Sequence, residues 1–269
     1  STGNRWQLQE AELGAMGSLR YSNAWDAQRE TQASYNISDG QLQVQESYDV
    51  VEQQNTINLG GTLDFGLKWR GQKLGVSNVL VRKTTDQVNI REGINREEDL
   101  IRQTRLDWIE RQLRFHQLDG EHQLADWLIV NWRAARSVAT RDQPDFRQYR
   151  YQRENETDPY RVFTRNGVVQ RLFQTLTDES EQGAVDMTLP FEVGFERPLE
   201  FQFGASTLQK QRVSDTRRYT FEDVRPDKDP ELLEENVEDI LADNIGPNGF
   251  LPDEQTLPTD NYEASQTVQ

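Results

Sequence analysis

The sequence contains no cysteine. That excludes a disulfide framework and any thiolate metal site, and it is neutral about compartment. Histidine is nearly missing too: His116 and His122 are the only two. An imidazole metal centre would need more ligands converging on that pair, so both read as polar residues near a turn. No apolar run approaches the ~20 residues a transmembrane helix needs. Positive charge is in deficit, with 30 Lys and Arg against 46 Asp and Glu and a formal net charge of −16. Nucleic acid is held mainly by Lys and Arg neutralising phosphates, so no nucleic-acid partner is expected. Ser1 to Glu10 is mostly polar, without the apolar centre of a secretory signal. The expectation is a processed chain, or one that starts inside a longer protein.

Catalytic motifs are missing as well. There is no G-x-S-x-G elbow, Walker loop or H-E-x-x-H. Glu97-Glu98-Asp99 and Glu234-Glu235 with Glu238-Asp239 lack the residue order of a calcium loop and read as solvated acid. Carboxylate pairs are plentiful, but spacing in sequence places no two at a glycosidase separation. The expectation is no enzyme, no cofactor and no metal site.

What is present is alternation. Hydrophobic residues are only 34%, yet there are 6 Trp, 8 Tyr and 11 Phe. A soluble domain would carry nearer half apolar residues, and a disordered chain would lack ordered aromatics. Over Thr56 to Trp69 one phase reads Ile57, Leu59, Gly61, Leu63, Phe65, Leu67, Trp69. The other reads Thr56, Asn58, Gly60, Thr62, Asp64, Gly66, Lys68. Val185 to Phe195 repeats the pattern, with Met187, Leu189, Phe191 and Val193 against Asp186, Thr188, Pro190 and Glu192. Period two means strands, and these are longer than the usual 5–6 residues. Ile101 to Gln117 is ambiguous, because adjacent Trp108 and Ile109 imply a phase slip at a bulge.

The spacing predicts an all-β fold, an antiparallel meander of about seven long strands. Their ranges are roughly 11–25, 54–69, 73–90, 101–118, 122–141, 176–196 and 199–219. Tight turns are expected at Arg70–Gln72, Asp119–Gly120 and Arg197–Pro198. Long polar connections are expected at Asp26–Gln53, Asp86–Thr104, Arg141–Thr175 and over 222–269. In the last, Asp229 to Asp243 predicts one short acidic helix, capped by Asp229 with Pro230 at its first position. Gly246-Pro247-Asn248-Gly249 is a turn cluster. Short turns at one end and long loops at the other suit a transmembrane β-barrel wall with extracellular loops. The apolar stripes would then face lipid and Asn58, Thr62, Asp64, Asp186 and Glu192 the lumen. Trp69 and Trp25 fall where interfacial aromatics would lie. In a soluble lectin-like or adhesin-like β-sandwich the same stripes would face a core.

Short phrases carry a resemblance. They include Gly17-Ser18-Leu19-Arg20-Tyr21-Ser22-Asn23-Ala24-Trp25, Leu118-Asp119-Gly120-Glu121-His122 and Asn131-Trp132-Arg133-Ala134-Ala135. Others are Thr140-Arg141-Asp142-Gln143-Pro144-Asp145, Asp186-Met187-Thr188-Leu189-Pro190-Phe191, Ser214-Asp215-Thr216-Arg217-Arg218 and Asn244-Ile245-Gly246-Pro247-Asn248-Gly249-Phe250. Over most of Gly17 to Ser265 the chain resembles the barrel of TonB-dependent receptors, active transporters of Gram-negative outer membranes. The resemblance implies an outer-membrane location, a lumenal plug domain, an energy-transducing TonB-type partner and a scarce ligand of siderophore, vitamin or glycan type. A barrel of about 22 strands, a plug and an aromatic-terminated last strand are not visible, so a fragment is expected. Contacts to ligand would come from loop side chains, with Tyr149, Tyr151, Tyr160, Arg217 and Tyr219 as candidates by residue type.

Overall fold

A computed structural model describes the chain except residues 39, 98, 166 and 192–198. All its strands lie in one sheet. Seven are long: β2 (Ala11–Ser38), β3 (Gln41–Trp69), β4 (Gln72–Ile94), β5 (Leu100–Ala125), β6 (Leu128–Arg153), β8 (Gln170–Phe191) and β9 (Leu199–Asp223). Four are short: β1 (Thr2–Leu8), β7 (Arg161–Val162), β10 (Phe250–Glu254) and β11 (Tyr262–Val268). The order is β1-β2-β3-β4-β5-β6-β8-β9-β10, with β7 on β6 and β11 on β9. Every strand pairing is antiparallel, so the predicted meander stands.

The strands outrun their expected ranges. β2 and β3 pair from Ala11–Trp69 to Ser38–Gln41, closing at Gly40 with φ of 74°. Asp26–Gln53 is therefore hairpin, not loop. The physical reason is that Tyr35, Ile37, Leu42 and Val44 keep only a short alternation, while Gln28 to Gln32 and Gln45 to Ser47 put polar residues on both faces. Polar pairs hold it instead, with Thr31 donating to Asp49 and Ser34 to Glu46, each at 3.0 Å. Likewise β4 continues to Ile94, β6 to Arg153, and β8 starts at Gln170. The phase slip foreseen at Trp108 is real: the β5–β6 register shifts between Leu106 and Glu110.

One turn is corrected. Asp119–Gly120 lies inside β5, and the reversal falls at Asp126–Trp127. Gly120 serves close approach instead. A Cβ there would collide with the indole of Trp132. That indole stacks on His122 and donates to its Nε2 at 2.8 Å. Gly120→Ala should therefore cost about 1–3 kcal/mol, as overpacking does. Urea unfolding of the detergent-refolded chain measures this, and a Trp132→Ala background should erase most of the penalty. The new turn shares a rim with Arg70–Gly71, since Gln123 N donates to Gly71 O at 3.3 Å. The turn foreseen at Arg197–Pro198 lies outside the described residues, as do Val193 and Glu192.

The register sorts side chains onto two faces. One bears Leu13, Leu19 and Tyr21 of β2, opposite Leu67, Gly61 and Leu59 of β3. It continues through Leu74, Val76 and Leu80, interrupted at Asn78, then Leu118, Trp132, Val185 and Phe203. None of the described residues covers it: Leu19 and Trp25 are each 78% exposed and Phe201 62%. The accessible area is 18218 Å², whereas a compact 31.3 kDa monomer would expose roughly 12,000 Å². The opposite face carries Thr62, Asn58, Ser77, Lys83, Arg111, Arg141 and Asp186.

The apolar stripe is diagonal. Its upper end is Ile57 on β3, then Leu80, Leu118, Ala134, Val185 and Ala205 on the strands that follow. Projected through the register onto β2, these lie level with Asn23, Leu19, Ala15, Ala15, Leu13 and Leu13. The edge thus falls by 23 − 13 = 10 residues over five strand-to-strand steps.

Candidate functional site

At the end remote from the tight turns, loops build a small folded cap. Its core is Val162, Val169, Phe221, Val237, Ile240 and Phe250, with Tyr149, Tyr151, Leu232, Leu233 and Leu241 against it. Ile240 and Phe250 are nearly sealed, at 1% and 2% exposed. The single predicted helix is divided. A 3-10 turn spans Glu231–Glu234, and helix α1 spans Val237–Asn244. Asn236 breaks the run, because its side chain accepts from Glu238 N at 2.9 Å and caps α1. The cap foreseen at Asp229 moves by one residue: Pro230 is the N-cap of the 3-10 turn, without a side-chain cap bond, and Asp229 before it accepts from Glu231 N at 3.0 Å. The tail beyond the turn cluster, expected to be irregular, returns to the sheet as β10 and β11 along β9.

The cap is tied down electrostatically. Arg225 and Asp223 form an ion pair at 3.0 Å, their side chains only 7% and 10% exposed. Arg225 also donates to Asp229 O at 3.1 Å and stacks over Phe250. Burial pushes the Asp223 carboxyl up, but hydrogen bonds from Arg225 and Lys228 outweigh it and hold it below the usual range. Asp145 behaves alike: burial raises it, and the stronger pull of Arg171 and Arg147 lowers it. Arg147 continues to Glu238 of α1 at 2.9 Å, clamping helix to sheet.

The five candidate contact residues all gain neighbours within the chain. Tyr149 and Tyr151 pack on the cap core, edge to face, 6.0 Å apart. The Tyr151 hydroxyl donates to Glu235 O and accepts from Val237 N, at 3.0 and 2.9 Å. Burial raises the pKa of both phenols. Tyr160 lies between Arg102 and Arg153, 4.6 and 4.4 Å from its ring, and donates to Glu92. Arg217 pairs with Glu254 at 3.1 Å and lies over Tyr219, which meets Phe173 edge on. By register Tyr149, Tyr151, Arg217 and Tyr219 share the face of the apolar stripe, beyond its upper end.

A cleft of about 1400 Å³ opens between the 154–167 loop, β9 and the cap. Gln152, Arg153, Gln170, Arg218, Thr220 and Lys228 are among its polar lining. Sequence reasoning passed over it, because its walls come from segments tens of residues apart. None of the five candidates chosen by residue type is among the residues lining the cleft. His116 and His122 are engaged with Asn78 and with Gln72 and Trp132. No family model, no curated protein and no solved structure matches the chain.

Proposed function

We propose that the chain is a wall segment of a transmembrane β-barrel in a Gram-negative outer membrane, belonging to a TonB-dependent receptor for uptake of a scarce ligand. The observation that carries the membrane part is the diagonal, uncovered apolar stripe. In a closed barrel the strands tilt by roughly 35–45° to the axis, so a horizontal lipid band crosses successive strands at staggered positions. A fall of 10 residues over five steps is about 33 Å along the strands against about 24 Å across them, a slope of about 54°, in the same sense as the strand tilt and somewhat steeper. Trp69 to Ile57 covers about 40 Å of strand, or about 28 Å of height at 45°, against a lipid band of about 25 Å. A soluble sandwich would need a second sheet over this face, and all described strands lie in one sheet.

The transport part is supported by the phrase-level resemblance and by the cleft at the loop end. On this reading the wall is a scaffold without covalent chemistry, and a plug domain and an energised partner supply gating. The test is vesicle insertion followed by proteolysis. Segments around Leu13–Tyr21 and Ile57–Leu67 should be protected from external protease, while the ribbon around Gly40 and the 154–167 loop are cut. A chain that is monomeric in plain buffer, with the stripe open to protease, would overturn the proposal.

A further inference from the structure

On the polar face, the register sets Lys83 opposite Arg111, and Arg111 opposite Arg141. Three cations thus occupy one row on three adjacent strands, with Cα atoms about 4.5–5.5 Å apart at each step. Like charges directly opposite one another destabilise a sheet, and this chain has 46 acidic residues available to relieve them. They do not. Among the described residues neither Lys83 nor Arg111 makes an ion pair, and Arg141 is met by amide oxygens of Gln143 and Gln174. Asp107, on the same face, is already engaged by Gln143 Nε2 at 2.6 Å. Asp178, on the next row, is taken by Arg212. A second observation points the same way. Thr85, two residues from Lys83 and on the same face, is 7% exposed, and its hydroxyl has no hydrogen-bond partner among the described residues. A buried hydroxyl without a partner costs free energy unless something arrives to bond it.

We propose that the row Lys83–Arg111–Arg141, with Thr85 beside it, binds an oxyanion group, carboxylate or phosphate, carried by the solute. This deepens the uptake reading and rests on it for the word solute. A charged acceptor would remove the mutual repulsion, take up the Thr85 hydroxyl and receive charge-assisted hydrogen bonds from three donors. The guanidinium of Arg141, held by two glutamine oxygens, supplies a fixed anchor, and exposed Lys83 and Arg111 close on the anion from its other side.

The test is a phosphorus NMR titration of the detergent-refolded chain with inorganic pyrophosphate at low salt. Saturable binding is expected, about tenfold weaker in Lys83→Gln and in Arg111→Gln. Arg91→Gln, eight residues along β4 on the same face, should bind unchanged. Displacement by citrate would assign carboxylate solutes, and failure of citrate to compete would assign phosphate. Without anion, each glutamine variant should unfold at the same or a higher urea midpoint, because a like-charge neighbour is gone. No saturable binding by the unaltered chain, or binding by both variants as tight as that of the unaltered chain, overturns the proposal. The titration needs no vesicle, so its failure is separable from failure of insertion.

Discussion

Arg225→Ala should release the cap from the sheet while the strands below stay paired. The variant leaves Asp223 buried beside Phe250 with its main partner gone. Removing one member of a buried ion pair costs about 3–5 kcal/mol. Hydrogen exchange should show it as lost protection confined to α1 and to residues around Val162 and Val169. Protection in β3 and β4, which share no residue with the cap core, should not change. Acid should reach the same state. The Asp223 pKa is depressed on folding, so its contribution is complete above about pH 4, near the unfolded value. It is lost as pH falls through the lower, folded value. If Arg225→Ala unfolds the whole sheet, the cap is integral to the wall and not a separately melting unit.

Leu63→Arg is the other large effect. Leu63 lies at the middle of the apolar stripe, 48% exposed, opposite Gly17 and Asn78. On the membrane reading, an arginine there should cost about 2–4 kcal/mol of stability in vesicles. Thr62→Arg, one residue away on the polar face, should cost well under half of that. The comparison is made by urea titration in lipid vesicles of medium chain length. Equal costs for the two positions would mean that the stripe does not meet hydrocarbon.

Much of this sheet is legible in the residues, and the limits are physical. Alternation shows only where the two faces meet different media. Leu59, Leu63, Phe65 and Leu67 therefore announce their strand, while polar runs such as Gln28 to Gln32 and Gln45 to Ser47 break the short alternation of Tyr35, Ile37, Leu42 and Val44 and hide a ribbon of equal regularity. Asp119-Gly120 is a turn signal by composition, but a glycine that makes room for an indole carries the same letter. The adjacent pair Trp108-Ile109 did betray its bulge, because a phase slip is a local property. Asn236 could have been read as a second N-cap, since Glu238 and an apolar pair follow it. The row Lys83, Arg111 and Arg141 could not, because its members are brought together only by the register of two separate strand pairs.

The next-neighbour order of the long strands also bears on how the wall comes together. Each strand's main partner is the segment just before or after it in the chain. Two-residue reversals at Arg70–Gly71 and Asp126–Trp127 make the first contact of their hairpins cost little loop entropy. Such a sheet can grow like a zipper, one strand added to one waiting edge, without a long-range search. The edge of β2 from Ser18 to Ser38 has no strand beside it among the described residues. During growth that ladder of open amides is a template for a second copy. Refolding yield should therefore fall with protein concentration more steeply than insertion itself would require.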